Sequence, residues 1–74
     1  MIFTRYEESS DSAKIYLDGP IAPGGVASTY PCDPIEVGGM INLDFDAAGR
    51  LIGIEVLGAR SKLPESVLND AVAE

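Results

Sequence analysis

Residues 42 to 56 read NLDFDAAGRLIGIEV, two apolar runs of alternating pattern flanking a short polar break that contains a glycine, and no other feature restricts the fold more. Alternation at period two belongs to a strand with one buried face, and a break of this kind between two such runs belongs to a hairpin. With Asp46 to Gly49 as a four-residue loop on a type I turn and Gly49 left-handed, Phe45 faces Arg50, Leu43 faces Ile52 and Ile41 faces Ile54. That register gathers Ile41, Leu43, Phe45, Ile52, Ile54 and Val56 on one face. Sliding by one residue sets Ile52 against Asp44 and Ile54 against Asn42, which mixes charge into the buried side. The hydrophobic pattern selects the four-residue loop.

A calcium loop competes for the same stretch, with Asp44, Asp46, Gly49, Leu51 and Glu55 at its first, third, sixth, eighth and twelfth positions. In the hairpin register Glu55 lies across from Met40, four residues along from Asp44, and at about 3.3 Å per residue the carboxylates are on the order of 13 Å apart. One ion cannot hold both, since its ligand oxygens lie within about 2.6 Å of it. Position five is Ala48, without a side-chain oxygen, and the flanks GGMI and IGIEV are strand-like where an EF-hand needs helices. No metal site is expected, and Asp46 is read as a turn residue whose side chain bonds its own backbone. The same separation takes Asp44 and Glu55 out of the acid/base geometry of glycosidases, whose carboxylates lie within about 9.5 Å of each other.

The rest of the chain is organised around this hairpin. Residues 1–6 and 13–18 are strands; in the second, Ala13, Ile15 and Leu17 share one face and Lys14, Tyr16 and Asp18 the other. Four of the five prolines and five of the eight glycines fall in the stretch from Gly19 to Gly39, so any strand there is short or at an edge, and VASTY, residues 26–30, is the best candidate. The hairpin strands are 40–46 and 50–57. In LPESVLNDAVAE the period changes, and Leu63, Val67, Leu68, Ala71 and Val72 fall on one helical stripe behind Pro64 and Glu65, which predicts a helix over 64–73. The expected fold is α+β: a single domain over 1–74, a small antiparallel β-meander of four to five strands with one C-terminal α-helix packed on one face.

Seventy-four residues give a small core and marginal stability unless something staples the fold. With one cysteine, Cys32, no intrachain disulfide forms, and with no histidine the usual zinc sets are missing. Oligomerisation is the remaining staple. The net charge is −7, and the five cations Arg5, Lys14, Arg50, Arg60 and Lys62 are dispersed, a surface that repels phosphate backbones and argues against nucleic acid. No apolar run approaches the roughly 18 residues of a membrane span, and MIFTRYEESS lacks the basic start and apolar core of a signal peptide. A cytoplasmic protein with no membrane contact is expected.

Tyr6, the run DSAKIYL at 11–17, INLDFDAAGRLIGIEVLGAR at 41–60 and LPESVL at 63–68 together resemble the small bacterial proteins grouped as domain of unknown function 2283. Members of that family run from a tyrosine-led strand through a DALYI-like strand to a VDYDENGRIVGIEIL-like hairpin and a helix. The Pro/Gly-rich segment here is longer than that pattern has. The resemblance implies a β-rich fold without an established activity and, through toxin-like gene neighbours of some members, a protein partner; it carries over no binding residue.

Each residue that could do chemistry has a plainer explanation. Cys32 has Asp33 beside it but no histidine anywhere in the chain to hold a thiolate. Tyr16 and Tyr30 suit a ligand site and equally suit half-exposed strands. Gly24-Gly25 and Gly38-Gly39 lack the strand-to-helix setting of a phosphate loop and are read as turns. No catalytic residue and no cofactor are expected. Two functions stay open: an acidic interaction module, homodimeric, that binds or stabilises a protein partner; or a small-molecule binder or cofactor-free enzyme of a biosynthetic pathway, with a pocket under residues 19–39 formed by Tyr16, Tyr30 and Cys32. For the homodimer the expected contact is Met40, Leu51 and Leu57, on the face opposite the helix.

Overall fold

The computed structural model describes residues 1–73. Its strands are β1 (Phe3–Glu7), β2 (Ser12–Tyr16), β3 (Ser28–Pro31), β4 (Ile41–Phe45), β5 (Leu51–Leu57) and β6 (Val72–Ala73), joined by three helical turns, α1 (Pro34–Val37), α2 (Ala59–Lys62) and α3 (Glu65–Asn69). The fold is β-rich α+β, and all six strands form one sheet in the order β3-β4-β5-β2-β1-β6. Two features correct the expected meander. First, β2 pairs with β5 and not with β3, so the Pro/Gly-rich segment carries the chain from mid-sheet to the far edge. Second, β6 lies parallel to β1, which makes the sheet mixed.

The segment after β2 turns at Ala22–Gly25. Gly25 N–H donates to Ala22 C=O at 2.8 Å, Pro23 precedes Gly24, and Gly24 has φ +78, the arrangement of a type II turn. A Cβ on Gly25 would lie 2.9 Å from both the Ala22 carbonyl oxygen and Ile21 Cγ2, so only glycine fits there without moving the loop. At the edge, β3 is exposed along its whole length and ends in Pro31, a residue confined to edges and bulges because it has no N–H for the ladder.

The hairpin differs from its expected register in two steps. Asp46 N–H donates to Arg50 C=O at 2.9 Å and Gly49 N–H to Asp46 C=O at 3.0 Å. The loop is therefore Ala47-Ala48-Gly49, closed by Asp46 and Arg50, with Gly49 left-handed at φ +81. This three-residue loop moves the register by one. A bulge then moves it by another: Phe45 pairs with Leu51 and Asp44 with Gly53, which leaves Ile52 as the extra residue. The total shift is two, so Leu43 faces Ile54 and Ile41 faces Val56, and the apolar residues of β4 stay on the side of Ile54 and Val56.

The expected helix over 64–73 is also corrected. Leu63 is extended, α3 runs only over Glu65–Asn69, and Asp70 caps it. Val72 and Ala73 then join the edge of β1, beside Arg5 and Tyr6. An isolated helix of ten residues is marginal in water, whereas the open edge of β1 offers backbone partners that must otherwise go to solvent. A helix this short cannot roof the sheet. The fully buried apolar residues are Ala13, Val56 and Ala59.

Candidate functional site

Pairing across the sheet sorts the strand residues onto two faces. On one, Tyr6, Ala13, Val56 and Ile41 form a row, followed by a second row of Thr4, Ile15, Ile54, Leu43 and Tyr30. Helices α2 and α3 stand over the Tyr6 end, where Tyr6, Glu8, Arg60, Glu65, Leu68 and Asn69 line a cleft. Ala13 and Val56 in the first row are buried at 2% exposure each. Away from the helices the cover ends: Ile15, Leu43, Phe45 and Ile54 are half-buried, and Tyr30 is 61% exposed. None of the side chains in these two rows is charged.

The other face holds the charges. Asp44, 6% exposed, is the one buried polar or charged residue among those described. Thr29 Oγ1 donates to its Oδ1 at 2.7 Å, and Lys14 Nζ lies 2.9 Å from its Oδ2. Burial pushes the Asp44 carboxyl up, but the Thr29 hydrogen bond and the Lys14 ammonium together outweigh it and hold the group below its ordinary value of 3.8. Desolvation likewise acts to lower Lys14, and Asp44 more than reverses it, so Lys14 stands above 10.5. Beside them Asn42 Nδ2 donates to Glu55 Oε1 at 3.1 Å, Phe3 and Tyr16 stack with centroids 4.6 Å apart, and Lys14 lies 5.7 Å from the centre of the Tyr16 ring. These groups satisfy one another.

Glu55 faces Asn42 and not Met40, which places it two residues from Asp44 and brings the expected separation of the two carboxylates down to roughly 7 Å of strand. Distance therefore does not separate the pair. Their partners do: both oxygens of Asp44 are engaged by Thr29 and Lys14, and an aspartate held ionised this way is no proton donor near neutral pH.

The candidate ligand residues are not brought together. Tyr16 lies on the charged face against Phe3, Tyr30 lies on the uncharged face at the far edge, and Cys32 follows β3 as a free thiol whose backbone N–H donates to Ile41 C=O. The hollow under the loop is lined instead by Asp18, Gly19, Pro20, Ile21, Asp46 and Ile52, among others. Of the expected dimer contact, Met40 and Leu57 are side by side, Leu57 N–H donating to Met40 C=O at 3.0 Å. Leu51 begins β5 and Leu57 ends it, about 20 Å apart at strand rise.

Two further features have local signals in the sequence. Asp33-Pro34 at the start of α1 and Gly38 at its end are the capping signals of a short helix: the Asp33 side chain accepts from Ile35 and Glu36 N–H, and Gly38 is left-handed. The second is Asp11, a non-glycine residue with φ 49, which an aspartate in a turn tolerates. Its Oδ1 accepts from Tyr6 Oη at 2.7 Å and from Arg60 N–H at 3.1 Å, and its C=O accepts from Ala59 N–H. The β1–β2 turn thereby holds the start of α2.

A small mixed sheet with two uncharged rows on one face and the Lys14–Asp44 pair on the other defines a β-rich α+β protein. The chain belongs to a family of proteins of unknown function (DUF2283), whose model matches residues 4–60. No curated protein and no solved structure matches it. Among the described residues no helix is long and apolar enough to cross a membrane.

Proposed function

We propose that this chain is a small acidic interaction module that binds or stabilises a protein by presenting the uncharged face of its sheet. The observation that carries the reading is the second row of that face: Ile15, Ile54 and Leu43 sit at mid-sheet, next to the buried pair Ala13 and Val56, and are left partly in water. Partly exposed apolar side chains set side by side on a sheet face, with the exposed Tyr30 at the end of their row, suit a contact with another macromolecule. A protein fits better than a nucleic acid, because a net charge of −7 repels phosphate. The free Cys32 suits the cytoplasm, where thiols stay reduced. The small-molecule alternative has less support, since Tyr16 and Tyr30 stand on opposite faces of the sheet.

Photo-crosslinking in cells tests this. A benzophenone amino acid at position 43 is expected to yield protein adducts, and the same group at position 29, on the charged face, is expected to yield none. Adducts from position 29 with none from position 43 would refute the reading.

A further inference from the structure

Resting on that reading, we infer that the occupant of the uncharged face is a second copy of this chain, packed sheet to sheet around a two-fold axis as a β-sandwich.

Four observations carry it. The chain exposes 4861 Å², where a compact monomer of 7.8 kDa exposes about 4,400 Å². The excess of nearly 500 Å² is a large share of the about 800 Å² that each partner gives to a standard interface. The molecule is also a thin slab, 31 × 28 × 19 Å, with one sheet and three helical turns of four or five residues. A second sheet about 10 Å away supplies the layer it lacks.

Charge is the third. Two copies of a chain with net charge −7 repel wherever their carboxylates meet. The row left open beyond the helices, Thr4-Ile15-Ile54-Leu43-Tyr30, contains none; Glu7, Asp44 and Glu55 point to the other side. Through the second row two acidic copies approach without stacking like charges, the carboxylates Glu8 and Glu65 standing aside at the cleft of the Tyr6 end. The fourth is the core. With Ala13, Val56 and Ala59 as the fully buried apolar residues, burial within one chain is too small to hold a domain comfortably. A foreign partner would complete the core only when it is present, whereas a second copy is present whenever the chain is made, and its binding stabilises by mass action.

Light scattering after size exclusion at micromolar concentration, with circular dichroism on each peak, tests the inference on four chains. The wild type is expected near twice 7.8 kDa. Leu43→Glu is expected to lose the dimer, and since that variant can unfold along with it, Tyr30→Glu serves as the second probe: Tyr30 is 61% exposed, so the chain folds, and its dimer is expected to weaken about tenfold or more, as for loss of an aromatic contact residue. Met40→Glu, on the opposite face, is expected to leave the dimer intact. A folded wild-type monomer overturns the self-contact. A dimer broken by Met40→Glu and untouched by Tyr30→Glu also overturns it, and moves the contact to Met40 and Leu57. Neither result bears on the crosslinking from position 43, so failure of the self-contact is distinguishable from failure of the interaction face.

Discussion

Lys14 Nζ lies 2.9 Å from Asp44 Oδ2, although their strands do not touch: β5 runs between β2 and β4, and the bridge passes over Gly53. A Cβ placed on Gly53 would sit 3.4 Å from Lys14 Cε, 3.5 Å from Asp44 Oδ2 and 3.5 Å from Ile21 Cδ1. The glycine is the gap through which a lysine reaches a carboxylate two strands away, and the Ile21 side chain stands beside it.

Those distances fix what position 53 tolerates. One methyl group meets its neighbours at ordinary contact, so Gly53→Ala is expected to be neutral or to stabilise by up to about 1 kcal/mol through reduced backbone entropy in a strand. Gly53→Val adds two further carbons with no room between Lys14 and Asp44, and is expected to destabilise by about 2 kcal/mol through overpacking. Lys14→Met leaves Asp44 with Thr29 as its only close donor. A buried pair broken from one side costs about 3–5 kcal/mol; with the Lys14 side chain 29% exposed, about 2 kcal/mol is expected after allowance for screening. Urea denaturation midpoints of the three variants check this set.

The loop of the hairpin gives a second test. The Asp46 carboxylate accepts from Ala48 and Arg50 N–H, each at 2.9 Å, and Gly49 holds φ +81 with nothing within 4 Å of its missing Cβ. Gly49→Ala therefore meets no clash, only the left-handed backbone, and is expected to cost about 1 kcal/mol. Gly49→Asn, which tolerates that region better, is expected to cost less. Equal losses from the two substitutions would contradict the turn assignment.

Stability should follow pH with two edges. Asp44, Asp46 and Asp11 all titrate below 3.8 in the folded chain: Thr29 and Lys14 outweigh burial at Asp44, Arg50 N–H leads at Asp46, and the Tyr6 hydroxyl leads at Asp11. A group whose folded pKa is depressed contributes stability that is fully present above its ordinary value and is lost as pH falls through the folded one. Lys14 stands above 10.5, with Asp44 outweighing desolvation, and Tyr6 above 10.0, led by its hydrogen bond to Asp11. Their contributions are complete below those values and are lost as pH rises through the folded ones. Denaturation midpoints are expected to be flat between about pH 4 and 10 and to fall outside that window. In Lys14→Met the alkaline fall should be smaller.

Tyr6 and Asp11 make a separable prediction, because the Asp11 carboxylate joins the β1–β2 turn to the first residues of α2. Tyr6→Phe removes the largest cause of the lowered Asp11 pKa. Titration by carboxyl-carbon NMR should show Asp11 moving up toward 3.8, and the amides of Ala59 and Arg60 should exchange faster with deuterium. An unmoved Asp11 would mean that the hydroxyl does not donate to it.

What was legible in the sequence was local. Alternation in SAKIY placed Ala13 and Ile15 on one face of their strand, and alternation in INLDF and LIGIEV placed Leu43 and Ile54 on one face of the hairpin; the hairpin face survived a register error because the three-residue loop and the bulge at Ile52 each shift the pairing by one and together restore its parity. The bulge itself has no mark in the sequence, since Ile52 suits a regular strand as well as an irregular one. Pairing of β2 with β5 joins residues about forty positions apart, and period-two patterning does not say which strand neighbours which. At the C-terminus the stripe Leu63, Val67, Leu68, Ala71, Val72 obeyed helical spacing, yet the open edge of β1 claimed Val72; a tertiary contact overrode a local period. The shortness of α3 follows from that same override.

Two-fold pairing of the chain would cover the row Thr4-Ile15-Ile54-Leu43-Tyr30 in solution and leave the charged face wet. Soluble nitroxide relaxation on methyl-labelled wild-type protein measures it directly, because the nitroxide broadens only the methyl groups it can approach. The signals of Ile15, Leu43 and Ile54 are expected to keep their intensity while those of Met40 and Leu57 are lost; broadening of Leu43 and Ile54 as severe as that of Met40 would contradict it.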